Sequence, residues 1–379
     1  MPWKEVTIPL QRLEFVTLAT AEGANRRRLC RRFGISPKTG YKWIHRFQEG
    51  GPHALQDRSR RPHSSPNRTS EYIERAILEV RQAHPAWGAR KIRARLEAQD
   101  LSNLPSVSTI TAILQRNGQI DAEEAGKHRP WKRFEAEAPN ALWQMDFKGH
   151  FSLTDGLCHP LTVLDDHSRF LLGVQACGDQ RWHTVQGHLT AIFRRYGLPE
   201  RMLVDNGPPW GSDESHPYTV LTAWLIRLGI DVVHSRPYHP QTLGKCERLH
   251  RTLKAEAIGQ RLFEDLYDCQ QHFDRWRYVY NFQRPHEALD MLVPATRYRE
   301  SLREFAEVLP PIQYGPGDMV RKVQINGEIS FRNRKFKIGH AFYGYPVALR
   351  PTLTEGVLDV FFCHEKVAQI NLKEHNCRP

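Results

Sequence analysis

The chain has 379 residues and a formal net charge of +12, a length for two to four domains with a sizeable core. The charge is uneven: residues 1–135 hold 25 Lys and Arg against 14 Asp and Glu, and the remainder 29 against 28, so the first third is a cationic module suited to a polyanion, nucleic acid above all. Seven cysteines without a CxxC pair, and no run of about 18 apolar residues, exclude a disulfide framework, a zinc ribbon and a membrane span; the expectation is a cytoplasmic chain with no export signal.

Residues 10–50 read as helices, within a helix-turn-helix domain over 1–55. Leu10, Leu13, Val16 and Leu18 are spaced as on a loose helical face. A second helix breaks at Gly34, and a third starts with Ser36 as N-cap and Pro37 in its first turn. Leu29, Phe33, Ile35, Trp43, Ile44 and Phe47 would pack the pair, leaving Lys38, Thr39, Tyr41, Lys42 and His45 outward. This is the pattern of a helix-turn-helix whose second helix enters the major groove. Residues 56–69 form a basic linker, in which Arg58, Arg60 and Arg61 would follow a minor groove or serve as a solvated tether. Residues 70–120 read as a second helix-turn-helix unit, capped by Ser70 and by Ser106 or Ser108 and stopped at Gly118, with Tyr72, Ile73, Ile77 and Val80 inside. Residues 121–139 are a second linker.

From residue 140 the texture changes. In "LWQMDFK" Trp143, Met145 and Phe147 alternate with Gln144, Asp146 and Lys148, which is strand periodicity. "HPLTVLDDHSRFLLGVQAC" gives two more strands about a tight turn. "WHTVQGHLTAIFRRYG" is an amphipathic helix, "RMLVD" a buried strand, "YTVLTAWLIRLG" a helix and "IDVVHS" a strand. Three antiparallel strands followed by alternating helices and strands predict a mixed α/β core over 140–305, with 262–305 helical. Residues 312–379 predict a small β-barrel, with turns at Asn326-Gly327 and at 333–335.

Three acids stand out. Asp146 lies on the polar side of its strand, Asp205 ends a buried strand, and Glu247 opens a cationic helix. Functional groups gather at the carboxyl ends of strands in such sheets. Three carboxylates in one site repel, and hard divalent cations such as Mg²⁺ or Mn²⁺ compensate; two ions clamp an in-line phosphoryl displacement. On the helix, Glu247, His250, Arg251 and Lys254 share a face, so the cations around the acid, Lys245 included, would hold DNA phosphates. Asp165 and Asp166 compete as metal ligands but read as a structural turn. His234, His239 and His250 lack a cysteine partner for zinc, and His239 is placed near DNA.

The stretches "LWQMDFKGHF", "VLDDHSRFLLG", "LVDNGPPW" and "RPYHPQTLGKCERLHRTLK" resemble the integrase-type core of bacterial insertion-sequence transposases, shared with retroviral integrases; "WLIRLGI" looks most like insertion-sequence family 481. The resemblance implies a ribonuclease-H-like fold and a DDE triad at Asp146, Asp205 and Glu247, with a basic residue at Lys254. It implies two Mg²⁺ per site, Mn²⁺ able to substitute, and hydrolysis at the ends of an element to free 3′-hydroxyls that attack target DNA. Partners would be double-stranded DNA, both element ends and target, and further copies of the chain, at least a dimer in the synaptic complex, in the bacterial cytoplasm and on the nucleoid. The 41 residues between Asp205 and Glu247 exceed the usual spacing of the wider group, with the excess around "PPWGSDESHPY". A nuclease of the same fold without strand transfer, and a DNA-binding regulator, are the alternatives.

Overall fold

A computed structural model describes residues 7–57, 69–120, 135–211, 217–235, 244–373 and 377–378. The chain divides into two compact units, Met1–Arg68 and Thr69–Pro379. Among the described residues, no helix is long and apolar enough to cross a membrane.

The first unit holds α1 (Ile8–Thr20), α2 (Arg26–Arg32) and α3 (Pro37–Gly50), followed by a 3-10 turn at Pro52–Leu55. Gly34 takes φ +66° between α2 and α3, a conformation open to glycine without strain. The Ser36 side chain accepts from the Thr39 N–H at 3.2 Å. Phe15, Val16, Ala19, Cys30, Trp43, Ile44 and Leu55 make the core, with Leu29, Phe33, Ile35 and Phe47 half-buried against it. The expected face of α1 is corrected: Leu10 and Leu18 are exposed, because Phe15 and Ala19 turn toward α3 instead. Gly40 lies where the helices touch. A Cβ there would sit 2.5 Å from Cys30 Sγ and 2.9 Å from the Phe15 ring, so Gly40→Ala is expected to cost about 1–3 kcal/mol, read as a lower melting temperature of this unit.

The second unit opens with α4 (Glu71–Ala83), α5 (Ala89–Glu97) and α6 (Val107–Arg116). Ser70 accepts from Ile73 N–H, and Ser106, not Ser108, caps α6. Ile73, Ile77, Trp87, Ile92, Leu96, Ile110 and Ile113 are buried together. Tyr72, expected inside, is exposed, since Ile73 and Ile77 claim the inward face one position on.

The sheet of the core comprises β1 (Leu142–Phe147), β2 (Phe151–Ser152), β3 (Leu157–Asp165), β4 (Leu171–Cys177), β5 (Arg201–Val204) and β6 (Asp231–His234). β3 lies antiparallel to β1, β2 and β4, while β1, β5 and β6 run parallel. The principal order β4-β3-β1-β5-β6, with crossovers through α7 (Trp182–Tyr196) and α8 (Val220–Arg227), is ribonuclease-H-like. Alternation along β1 splits the two faces. Trp143 and Met145 join Val185, Leu189 and Phe193 of α7. On the other side Leu164, Leu171 and Val174 pack on α9 (Gly244–Glu256) and α10 (Leu266–Phe282) through Leu249, Leu253 and Phe273. The expected helix over 262–305 stops at Phe282: Pro285 disfavours helical backbone at Arg284, and two short 3-10 turns follow. Arg284 pairs with buried Glu256 at 2.9 Å, and Trp276 Nε1 donates to the same carboxylate at 3.3 Å.

The C-terminal region is sheet-rich. β7 (Met319–Lys322), β10 (Pro346–Pro351), β11 (Val357–Phe362), β12 (Glu365–Asn371) and β13 (Cys377–Arg378) form one antiparallel sheet, and β8 (Glu328–Phe331) and β9 (Arg334–Lys337) a separate hairpin. Both share a core with Ala223 and Ile226 of α8. The hairpin turn is Arg332-Asn333, φ +47° and +60°, one residue earlier than expected. Asn326-Gly327 makes a turn, closed by Gly327 N–H to Gln324 C=O at 2.9 Å, but its flanks β7 and β8 belong to different sheets. No pairing among the described strands closes a barrel.

Candidate active site

β1 and β5 are parallel neighbours with Gln144 opposite Leu203. Two residues further on, this register sets Asp146 level with Asp205 at the carboxyl ends of adjacent strands. Asp205 follows β5, and its Oδ1 accepts the Gly207 N–H at 3.1 Å, so the side chain closes its own turn. Glu247 stands exposed in the first turns of α9. The three acids named from the sequence thus converge from two strands and one helix.

Their mutual repulsion registers on Asp146. Its carboxyl is pushed up to about 7, first by burial, then by the Asp205 charge and, less, by Glu247, against a Phe147 N–H that favours ionisation. Burial raises Asp205 too, opposed by the Gly207 N–H and by His234. A site of hard carboxylate oxygens that resists losing its proton lacks positive charge, and a divalent cation fits that donor set. The sign for stability follows. With the folded pKa raised, the contribution of Asp146 is full below the unfolded carboxyl value of 3.8 and lost as pH rises through about 7. Metal-free protein should therefore melt close to Asp146→Asn near pH 4 and increasingly below it up to pH 8, by at most about 4 kcal/mol; melting temperatures across this range check it.

The cations sort into two groups. Arg251 and Lys254 are exposed on α9. Lys148, not singled out from the sequence, lies close enough to Lys254 that the two charges repel. Two residues expected to contact DNA face inward. Lys245 turns inward: its Nζ pairs with the carboxylate of fully buried Asp166 and donates to the Asp166 carbonyl at 3.0 Å. Burial, with Arg169 second, lowers the amine to about 8. His250 is also turned inward, its ring 13% exposed, with Nε2 2.8 Å from Thr162 Oγ1 and Nδ1 3.9 Å from Asp146 Oδ2.

Asp165 and Asp166 are the structural turn expected. Asp165 accepts from the N–H groups of Asn140 and Ser168, and Asp166 from Ala136 N–H and Gln144 Nε2, each at 2.7–2.8 Å. His234 is held by its Nδ1–H, which donates to the Asp205 carbonyl at 3.1 Å. Asp231, His364 and Glu365 bring their donor atoms within 4.8 Å of one another, but Asp231 and His364 are half-exposed and already bonded to each other at 2.9 Å. In the first unit Lys38, Lys42 and His45 point outward on α3, His45 beside Glu49 at 3.2 Å. Thr39 is half-buried, its backbone N–H and hydroxyl both bonded to Ser36. Arg58, Arg60, Arg61 and His239 lie outside the described residues.

Known families match most of this chain. Residues 318–378 match the IS481 family transposase C-terminal domain. Residues 136–240 and 228–294 match two integrase core domain families. Residues 11–63 match a helix-turn-helix domain and 39–114 a homeodomain-like domain. The Gag-Pro-Pol polyprotein of sheep pulmonary adenomatosis virus is 30% identical over 146 residues, 38% of this chain and 8% of the polyprotein. That of Mason-Pfizer monkey virus is 34% identical over 116 residues, 31% of this chain and 6% of the polyprotein. This chain thus spans less than a tenth of either. Among solved structures, the HTLV-2 integrase catalytic core domain in complex with magnesium aligns over 44% of this chain and all of that one, at 16% identity and TM-score 0.34. The simian T-cell lymphotropic virus intasome aligns over 76% and 96%, at 15% and 0.37. Helix-turn-helix domains ahead of an integrase core, and the transposase domain behind it, make this chain IS481-like in its domain make-up.

Proposed function

We propose that the chain is a DDE transposase that binds the inverted repeats at the ends of an element, hydrolyses a phosphodiester there to free a 3′-hydroxyl, and joins that end to target DNA. The observation that carries this reading is the convergence of Asp146, Asp205 and Glu247, close enough for the second and third to raise the first. In this reading Asp146, Asp205 and Glu247 hold divalent cations, Mg²⁺ or Mn²⁺ and two per site, which supply Lewis-acid activation of the phosphodiester and its nucleophile. The chain's own part is placement. Asp205 is fixed by its turn at the end of β5. Arg251 and Lys254, exposed on α9, and Lys148, close to Lys254, would take the phosphates flanking the scissile bond.

The helix-turn-helix domains, 1–55 and 70–120, would read the terminal repeats from α3 through Lys38, Lys42 and His45, on double-stranded DNA. The core is assigned to 140–305. The sheet and hairpin of 312–379 would meet DNA or a second copy, and synapsis of two ends calls for at least a dimer. A fragment of residues 1–120 should bind end DNA alone, its log affinity falling with log salt by about 0.9 for each phosphate contacted; affinity flat from low to moderate salt would contradict this.

The test of joining is direct. A pre-cut element end bearing a 3′-hydroxyl is incubated with plasmid, protein and Mg²⁺. A joined product supports the proposal. Cleavage without joining would leave a nuclease of the same fold, and binding with neither a regulator.

A further inference from the structure

One contact of the site is decided by counting hydrogens. Thr162 faces Asp146 across the β1–β3 pairing and is fully buried. Its Oγ1 lies 3.0 Å from the Asp146 main-chain carbonyl and 2.8 Å from His250 Nε2. The carbonyl only accepts, and a hydroxyl has a single hydrogen to give. Both bonds hold together only if Thr162 donates to the carbonyl and His250 Nε2–H donates to Thr162. Nδ1 lies 3.9 Å from Asp146 Oδ2.

We propose that His250 is a positioning residue whose Nε2–H, donated to Thr162, hangs α9 on the end of β1. His250 lies three residues after Glu247, on the same helix face. Anchoring the ring therefore sets how Glu247 stands relative to Asp146. This role rests on reading Asp146 and Glu247 as cation ligands, and neighbours that orient such ligands typically tune metal affinity about 10–100-fold.

Two measurements on the full-length chain test it. In metal-free protein labelled with ¹⁵N-histidine, the His250 resonances, identified by their loss in His250→Gln, should show a protonated Nε2; an unprotonated Nε2 overturns the donor assignment and with it the proposal. Calorimetric titration with Mn²⁺ reads the positioning. Thr162→Val and His250→Asn, whose amide falls at the Nδ1 place, should weaken binding about tenfold. His250→Gln, whose amide nitrogen reaches the Nε2 place and donates to Thr162, should stay within about threefold. Equal loss in His250→Asn and His250→Gln, or no loss in Thr162→Val, overturns the role. Wild-type protein that binds no Mn²⁺, or Asp205→Asn that binds it as well, contradicts the cation-site reading instead, while the donor assignment is still decided by the resonances.

Discussion

Asp205→Asn is expected to lower metal-dependent cleavage by about 10³-fold or more while end-DNA affinity stays within about twofold. The substitution keeps the size of the side chain and an oxygen able to accept the Gly207 N–H, so the turn after β5 survives. What it removes is one of the charges that converge at the strand ends. Cation stabilisation of a phosphoryl-transfer transition state amounts to several kcal/mol, and each 1.36 kcal/mol is a factor of about ten in rate. The proposed reading surfaces lie elsewhere, on α3 of the first unit, so binding and cleavage should separate. A gel-shift and a cleavage assay on one preparation check it; parallel loss of both would sink this division of labour.

The second large effect is on stability. Lys245→Met should destabilise the second unit by about 3–5 kcal/mol, the cost of leaving a buried charge without its partner, and lower its melting temperature by roughly 5–10 °C. Asp166 is fully buried and keeps neutral donors from Ala136 and Gln144 after the change, but loses the cation that faces it. Lys254→Ala, on the exposed face of α9, should do the opposite: little change in melting, weaker binding across DNA sequences, and a salt dependence shallower by about one phosphate. Denaturation and salt-titrated binding of the two variants form one experiment. Were Lys245→Met to melt like the wild type while losing DNA affinity, its inward assignment would fail.

That contrast marks how much the sequence could tell. Both lysines stand in one cationic helix, and i, i+3, i+4 spacing does place Glu247, Arg251 and Lys254 together on its exposed side. What turned Lys245 inward is Asp166, 79 residues earlier in the chain, and no local pattern carries a partner so distant. His250 fell to the same cause: its position is set by Thr162 of β3, whose one clue was a single polar residue inside the apolar run "PLTVL". The acids were legible because strand alternation and strand ends are local properties. Met145 and Asp146 take opposite faces by period alone, and Asp205 closes a turn spelled Asp-Asn-Gly. The caps at Ser36 and Ser70 were legible for the same reason, each bonding an N–H three residues on, while Ser106 was one of two candidates for α6. The C-terminal pairings were not. An Asn-Gly turn announces a reversal, yet whether its flanks stay paired depends on partners far along the chain, and β7 left β8 for β10.

The most direct test of the central claim is a cleavage map. DNA flanking the gene is incubated with the protein and Mg²⁺ or Mn²⁺, and 3′ ends are located on a sequencing gel beside Asp205→Asn. Metal-dependent cuts at a repeated terminus, with free 3′-hydroxyls, absent in the variant, are the expected result. Binding to that terminus without a cut under either metal, or cuts that persist in Asp205→Asn, would contradict it.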